Sequence, residues 1–473
     1  MESLRSAFDP EIFRADGHRV IDQLADYLAR AQRGAPLPVL PPSDPDALLA
    51  AWPSDFPEHP EGALEPLLSR VLAASNHLHH PRYIGHQVTA PLPLAALCDC
   101  VAALLNNGMA VYEMGPVATA MERSVVRWMA TQVGFGDGAD GVLTSGGSAG
   151  NLTALLAARQ AQAGFDVWDD GATAGPPLAV LASEQAHYCV QRAVQIMGWG
   201  NDGVVPVPTD ARFRLRADRL ATALRQAEDA GRKVIAVVAN ACSTATGSFD
   251  PLEAIADFCA AHGLWLHVDG AHGAAAALSA KYRHRLAGIA RADSVVWDAH
   301  KMLLMPALVT AVLFRDGNRS YDAFAQQASY LFSEGAQTQQ HDQAVRTLEC
   351  TKRMMSLKLY AALAVYGTRL FADYVTQTFD LAQRFAARLD AAPDFELAVE
   401  PEANIVCFRH VPFGVPDLDP LQERIRQRLL ANGSFYLVQT RLRGRLFLRA
   451  TLINPLTTDH DLAALLDAIR QHG

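Results

Sequence analysis

The chain has 473 residues, of which 50% are hydrophobic and 19% charged, and its formal net charge is −9. This length predicts two or three globular domains with a large buried core. The basic residues are scattered and outnumbered by acidic ones, which argues against nucleic acid or an anionic membrane as the partner and leaves a small molecule as the expected ligand.

The N-terminal region predicts a helical arm. Apolar residues recur at roughly helical spacing between Asp9 and Arg33, and a proline-rich stretch follows from Pro36 to Pro45. An arm that leaves the body through an extended linker buries its apolar face most readily against a second subunit, so we assign residues 1–90 to a dimerisation segment. The first residues lack the basic start and apolar run of a secretory signal, and no run of 18 apolar residues occurs, so we expect a cytoplasmic protein.

Further helices are predicted near residues 62–74, 93–106 and 116–133. The second of them carries Cys98 and Cys100 as a lone CxC pair. The seven cysteines are an odd number spread thinly over the chain, and no second cysteine or histidine pair stands at metal-binding spacing. We therefore expect reduced thiols on a helix face or in the core, and no metal site.

Between about residues 141 and 315, short apolar runs alternate with amphipathic stretches of helix length. Such runs are typical of buried strands in a mostly parallel sheet that helices cover on both faces, which is an α/β architecture. We assign residues 91–366 to this large domain. The runs are GVLTS, LAVLAS, VIAVVAN, LWLHVD, DSVVWD and LVTAVLF.

Polar and reactive side chains follow these runs, at the carboxyl ends of the predicted strands, where ligands bind in such sheets. They are Ser145–Ser148, His187, Thr244, Asp269 and His300–Lys301.

Residues 316–345 show no clear periodicity, and a loop of this length in a compact enzyme is usually functional or mobile. Helices near 347–390 and then short strands and helices are predicted to follow. We assign residues 367–473 to a small α+β C-terminal domain.

The sequence TSGGSAGNLT at 144–153 follows a strand and opens a helix. Its small residues let backbone N–H groups and the helix dipole face an anion such as a phosphate, although a plain glycine turn is the alternative. The sequence is neither GxGxxG nor a Walker motif, which argues against a dinucleotide or a nucleoside triphosphate.

Asp269 and Lys301 complete this pattern. A carboxylate at the end of an apolar strand needs a cationic or hydrogen-bonding partner, such as a protonated pyridine nitrogen, although a helix N-cap is the alternative for Asp269. Lys301 follows SVVW at the same edge, where a desolvated amine can attack an aldehyde, whereas a single lysine after a strand is usually a surface residue. The order of phosphate loop, histidine, aspartate and lysine, each after its own strand, favours the chemical interpretation.

With these residues the chain resembles the group II pyridoxal-phosphate decarboxylases, the family of aromatic amino acid, glutamate and 2,4-diaminobutyrate decarboxylases. The resemblance runs from about residue 9 to 455. Its motifs are HPRYIGH at 80–86, NNGMAVYE at 106–113, SGGSAGN at 145–151, SEQAH at 183–187, TATGSFDP at 244–251, HVDGAH at 267–272 and WDAHKM at 297–302.

The resemblance implies a fold-type I architecture, pyridoxal 5′-phosphate as cofactor, and a homodimer with composite active sites. It implies that Lys301 binds the cofactor as a Schiff base, that Asp269 pairs with the pyridine nitrogen and that His187 stacks on the ring. It further implies that Tyr330, in the sequence ASYLF, protonates the carbanion left by decarboxylation. The other residues implied to contact the cofactor are Gly147, Ser148, Ala149, Thr244, Ala271, Asp298 and His300.

This chain departs from the family pattern around the site. His272 follows Ala271 where tryptophan is usual, Cys242-Ser243-Thr244 replaces GTT, and Asp298 replaces the asparagine of the aromatic and glutamate branches. These changes alter the wall of the site and leave its reactive groups in place. The candidates for substrate binding are His86, Gln87, Thr89 and Arg353.

His86 and Gln87 predict a polar side-chain pocket, and together with Asp298 they resemble the 2,4-diaminobutyrate branch. This resemblance implies a small polar or basic substrate such as L-2,4-diaminobutyrate, with an aromatic amino acid as the alternative. A decarboxylating aldehyde synthase is the second alternative, and Tyr330 argues against it because the oxidative members tend to carry phenylalanine there. The TATGSFDP and HPRYIGH motifs argue against a fold-type I aminotransferase. A catalytically silent binding protein would be expected to have lost Lys301, Asp269 or His187, and all three are present.

Overall fold

The computed structural model describes residues 2–34, 37–52, 55–56, 58, 63–324 and 339–473. The helices are α1 Glu2–Ala7, α2 Pro10–Arg33, α3 Pro45–Ala50, α4 Leu64–Ala74, α5 Pro93–Leu105, α6 Pro116–Gln132, α7 Gly147–Gln162, α8 Tyr188–Ile196, α9 Leu220–Asp229, α10 Leu252–His262, α11 Ala299–Met302, α12 Ser356–Asp390, α13 Asp419–Ala431 and α14 Asp459–His472. The strands are β1 Asp140–Thr144, β2 Leu178–Ser183, β3 Val204–Val207, β4 Lys233–Asn240, β5 Trp265–Asp269, β6 Ser294–Asp298, β7 Thr310–Phe314, β8 Phe395–Leu397, β9 Ile405–His410, β10 Val438–Leu442 and β11 Arg445–Thr451.

The chain divides into two compact units. The first comprises Met1–His86, Arg384–Ala398 and Cys407–Gly473, and the second comprises Gln87–Gln383 and Val399–Val406. The three-domain division drawn from the sequence stays a prediction.

The second unit is built around a seven-stranded sheet, ordered β1-β7-β6-β5-β4-β2-β3 among the described residues. Neighbouring strands from β6 to β3 pair in parallel, whereas β7 runs antiparallel to both β6 and β1. All strands except β7 therefore end at the same edge. The apolar residues of every strand except the edge strand β3 are buried, as expected for a sheet covered on both faces.

The first unit contains a four-stranded sheet ordered β10-β11-β9-β8, with antiparallel pairs β10–β11 and β8–β9. Its helix α2 has clear start and stop signals. The Asp9 side chain accepts the Glu11 N–H, Pro10 occupies the first turn, and Gly34 ends the helix at φ 74°. These are the capping residues that make the predicted helical arm a helix.

Two elements differ from the sequence prediction. Strand β3 was not predicted, because it has only four residues, contains Pro206 and lies at the sheet edge, where the strand signal is weakest. Helix α12 begins at Ser356, so residues 347–355 are not helical as predicted. The helix is also interrupted at Gly367, whose φ of 74° and ψ of 171° are not helical.

No helix within the described ranges is both long and apolar enough to cross a membrane.

Candidate active site

A cavity of about 440 Å³ opens at the carboxyl edge of the large sheet. This volume lies within the range of small-molecule sites. Its lining is Ser145, Gly146, Gly147, Ser148, Ala149, Asn151, His187, Cys189, Asn240, Cys242, Thr244, Asp269, Ala271, His272, Asp298, His300, Lys301 and Leu308. Every residue that the sequence assigned to the cofactor is therefore brought to one place.

The loop between β1 and α7 forms one wall. Gly146 has a φ of 137°, a backbone conformation that side-chain-bearing residues rarely adopt, and it caps the start of α7. Gly147, Ser148 and Ala149 supply the first turn of this helix, whose N–H groups have no partner within the helix and favour an anion. The loop is thus suited to a phosphate.

A buried hydrogen-bond chain supports this loop from behind. Trp265 Nε1 donates to Ser294 Oγ at 2.9 Å, and Ser294 Oγ lies 2.8 Å from His267 Nδ1. His267 Nε2 lies 2.8 Å from Asn151 Oδ1, and the Asn151 amide nitrogen donates to the Gly147 carbonyl at 2.8 Å. Because Asn151 Oδ1 can only accept, His267 donates from Nε2. Burial lowers the pKa of His267 to about 4, so the ring is neutral at pH 7 and Nδ1 accepts from the Ser294 hydroxyl.

Asp269 is the last residue of β5 and is buried. One of its carboxylate oxygens accepts the Ala271 N–H at 3.2 Å, and the carboxylate lines the cavity. A buried carboxylate is stable only when a cation or several donors meet it. The cavity therefore offers a place for a positively charged ligand atom opposite Asp269.

Lys301 lies in the short helix α11, directly after β6. Its Nζ atom is 3.0 Å from Asp298 Oδ2. Burial lowers the pKa of the Lys301 amine, but the Asp298 and Asp269 carboxylates raise it, and the net shift is upward. His300 Nε2 lies 3.5 Å from the same Asp298 oxygen.

His187 is the N-cap of α8, and its Nδ1 accepts the Cys189 N–H at 3.3 Å. Its ring centroid lies 4.1 Å from that of Tyr188. Burial lowers the pKa of His187, although Asp269 opposes this shift. A neutral imidazole is thus available as a flat surface at the cavity wall.

These groups fit pyridoxal phosphate. The start of α7 suits the phosphate, Asp269 suits a protonated ring nitrogen, and the Lys301 amine suits the aldehyde. The fit is close at Gly147, where an added Cβ would come within 3.1 and 3.2 Å of the two Asp298 carboxylate oxygens. A larger residue there would push into the cavity.

The four substrate candidates are not gathered in this way. Gln87, Thr89 and Arg353 belong to the second unit but are not among the described residues that line the cavity. Arg353 is 54% exposed and donates to the Asp99 carbonyl at 2.8 Å. It lines a neighbouring cavity of about 310 Å³, which shares Ser145 and Leu308 with the cofactor cavity. Tyr330 lies outside the described residues.

His86 belongs to the first unit. Its ring centroid is 5.6 Å from that of Tyr436. Burial lowers the pKa of His86, and the nearby guanidinium groups of Arg449 and Arg426 lower it further. The surroundings of this ring within its own unit are therefore cationic.

The cavity also holds residues that sequence reasoning did not select: Asn151, Cys189, Asn240 and Leu308. Asn240 could have been predicted from the sequence, because it is the last residue of β4, just as Asp269 ends β5 and Asp298 ends β6. Cys189 also follows His187 by only two positions. Nothing in the sequence pattern pointed to Leu308.

Comparison with known proteins gives a consistent family. The pyridoxal-dependent decarboxylase conserved domain matches residues 45–411. Human cysteine sulfinic acid decarboxylase is 34% identical over 85% of this chain and 84% of its own length, and the aromatic-L-amino-acid decarboxylase of Bacillus atrophaeus is 28% identical over 97% and 95%. A solved Vibrio parahaemolyticus structure is that of the glutamate decarboxylase domain of diaminobutyrate-pyruvate transaminase and L-2,4-diaminobutyrate decarboxylase. It is 26% identical, with a TM-score of 0.82 and 95% of both chains covered.

Proposed function

This chain belongs to the pyridoxal-dependent decarboxylase family, and on that premise we propose that it decarboxylates a small L-amino acid with an acidic side chain. The family predicted from the sequence is confirmed, and so are the α/β fold, the pyridoxal-phosphate cofactor and the amino acid carboxy-lyase activity. The identity of the substrate and the roles of individual residues are the proposal.

Within that reaction, Lys301 would hold the cofactor through its amine, and Gly147, Ser148 and Ala149 would hold its phosphate. When bound, the cofactor supplies an electron sink for the pair left behind by departing carbon dioxide. Asp269 would keep a proton on the pyridine nitrogen, and His187 would face the ring and orient the substrate carboxylate. Tyr330 delivers the proton to the α-carbon, which gives the amine as product.

The choice of an acidic substrate rests on the cationic surroundings of His86. The family resemblance implies a substrate contact for this residue, and Arg449 and Arg426 bring positive charge to the same ring. Arg449 is buried in β11, so solvent screens its positive charge weakly. Two positive charges disfavour a basic side chain at the same place.

The described lining of the cavity contains no phenylalanine, tyrosine or tryptophan. A small polar substrate suits such a lining better than an aromatic one. This supports the preference for a small polar substrate that the sequence already suggested.

L-2,4-diaminobutyrate is the second candidate. Its support is the combination of His86, Gln87 and Asp298 in the sequence, together with the likeness to the Vibrio protein, whose name includes this activity. The two candidates differ in the sign of the side-chain charge, so one experiment separates them.

The test is the release of carbon dioxide from L-cysteine sulfinate, L-aspartate and L-glutamate compared with L-2,4-diaminobutyrate and L-tyrosine. We expect kcat/KM for one acidic substrate to exceed that for diaminobutyrate at least about tenfold. This ratio corresponds to the free energy that one charge-assisted hydrogen bond contributes. Arg449→Gln should reduce this acidic-to-basic ratio, and the ratio within one variant cancels general damage to the fold. Arg428→Gln, at an exposed position of α13, is the matched control.

Diaminobutyrate as the preferred substrate would replace the first candidate by the second, and a preference for tyrosine would reject both. Hydrogen peroxide is measured in parallel. Its formation in step with carbon dioxide would assign the chain to the oxidative aldehyde synthases.

A homodimer with composite active sites and a cytoplasmic location are further parts of the proposal. Helix α5 exposes Leu97, Val101, Leu104 and Leu105, which recur at helical spacing on one face. An apolar stripe of this kind favours a second copy of the chain as its cover. Light scattering in solution measures the molecular mass, which distinguishes a dimer from a monomer.

A further inference from the structure

Asp298 is the carboxylate closest to the reactive lysine, and the fold holds it tightly. It is the last residue of β6 and only 1% exposed. Its Oδ1 atom accepts a hydrogen bond of 2.6 Å from Thr310 Oγ1, on the neighbouring strand β7. Its Oδ2 atom lies 3.0 Å from Lys301 Nζ and 3.5 Å from His300 Nε2. Both oxygens therefore have fixed partners.

A carboxylate buried to this degree is costly unless a cation accompanies it. The Lys301 ammonium is the nearest cation, at hydrogen-bond distance. Gly147 closes the other side of the carboxylate, because an added Cβ there would approach both of its oxygens to 3.1 and 3.2 Å. The side chain thus has little freedom to turn away from Lys301.

We propose that Asp298 is a positioning residue that holds the Lys301 amine in its charged form at the end of β6, and so sets the pH at which this amine becomes a nucleophile. The inference rests on the proposed role of Lys301 in binding the cofactor. An asparagine, as in the aromatic and glutamate branches, would keep the hydrogen bond but remove the charge.

The other groups that face Lys301 do not replace this charge. His187 and Cys189, from the start of α8, are neutral, because burial lowers the pKa of the imidazole and raises that of the thiol. His300 faces the same Asp298 oxygen from α11. Asp269, at the end of β5, is the second carboxylate that stabilises the ammonium.

The charge matters because only the free amine attacks an aldehyde. The ammonium must first give one proton to solvent, and condensation then forms one C=N bond and releases one water. Cofactor attachment should therefore accelerate with rising pH. Removal of the Asp298 charge should move this acceleration to lower pH, since burial of the amine would then be less opposed.

The first measurement is competitive labelling of the cofactor-free, full-length protein with acetic anhydride over a pH series, with Lys301 acetylation read by mass spectrometry. We expect Asp298→Asn to lower the midpoint for Lys301 by at least about one pH unit, the usual effect of a charge at this distance. The second measurement is the rate at which the visible absorption band appears after pyridoxal phosphate is added. Its midpoint should shift in the same direction.

Two variants separate charge from packing. Thr310→Val removes the hydroxyl that orients Asp298 but keeps the carboxylate, so the midpoint should stay within about 0.3 pH units of the wild type. Asp257→Asn removes an exposed carboxylate of α10 that pairs with Arg291, and should leave the midpoint unchanged. Thermal melting of each variant confirms that it is folded.

An unchanged midpoint in Asp298→Asn, or an equal shift in Thr310→Val, would overturn the inference. The labelling readout needs neither cofactor nor substrate. A clear shift in labelling together with a wild-type protein that forms no visible band would therefore support the role of Asp298 while rejecting the proposed function.

Discussion

The cofactor cavity and the predicted substrate residues are held in different ways. Asn240, Asp269 and Asp298 each end a strand of the large sheet, so backbone pairing fixes their spacing. Gln87 and Arg353 instead lie in irregular segments before α5 and α12. The reactive groups, which must stand at fixed distances, come from the ends of the rigid strands. The candidates for substrate selection come from irregular segments, whose sequence can vary without altering the sheet.

The largest effect should follow from the loss of Lys301. Lys301→Ala removes the only lysine amine among the described residues that line the cavity, and therefore the only group there that can form a Schiff base with an aldehyde. We expect the visible band to disappear and carbon dioxide release to fall at least about a thousandfold. Absorbance and carbon dioxide assays measure both. Lys281→Ala is the control, because Lys281 is exposed and pairs with Asp380. A retained band in Lys301→Ala would show that the cavity does not bind the cofactor in this way.

The contrast between strand ends and irregular segments also explains which parts of the structure could be predicted from the sequence. Short apolar runs before Asp269 and Lys301 were recognisable as strands, and parallel strands bring their ends to one edge, so the gathering of these residues could be predicted from chain order. The cofactor itself, with Ala149, Ala271 and Asp298 as contacts, came from the family resemblance. Helix α2 was recognisable from its apolar spacing and the proline-rich stretch that follows. In these elements the local pattern and the tertiary structure demand the same residues.

The rest could not be read from the sequence for physical reasons. Strand β3 carries a proline at an edge, where packing against β2 outweighs propensity. The cavity residue Leu308 lies in the irregular segment between α11 and β7, and no periodicity reports the position of such a residue. The positive charge around His86 arises from Arg426 and Arg449, which lie 340 and 363 positions later in the chain, so only the folded unit reveals it.

An intermediate effect is expected from the buried chain behind the phosphate loop. Burial lowers the pKa of His267 to about 4, so the folded protein keeps the ring neutral at pH 5 while the unfolded chain, at about 6.5, binds a proton. The unfolded state binds more protons in this window, so stability falls as pH decreases from 6.5 towards 4. His267 should account for about 2 kcal/mol of the loss between pH 7 and pH 5.

His267→Gln tests this assignment. The variant should be less stable at pH 7 by about 1–3 kcal/mol, because the links to Ser294 and Asn151 are weakened, but its stability should depend less on pH than that of the wild type. Denaturant unfolding at pH 7 and pH 5 measures the difference. His284→Gln, an exposed histidine of the same unit, should keep the wild-type pH dependence. An equal pH dependence in the wild type and His267→Gln would mean that the ring is protonated in the folded protein.

The smallest effect should come from a change at Arg353, one of the predicted substrate residues. It is half exposed, pairs with the Asp99 backbone and carboxylate and does not line the cofactor cavity, and such surface pairs contribute little. We expect Arg353→Gln to leave cofactor affinity unchanged and to raise KM less than about threefold. Cofactor titration and steady-state kinetics on the preferred substrate provide both values. A large increase in KM with an unchanged cofactor affinity would instead mean that Arg353 reaches a substrate in the assembled enzyme, and would restore the role that the sequence gave it.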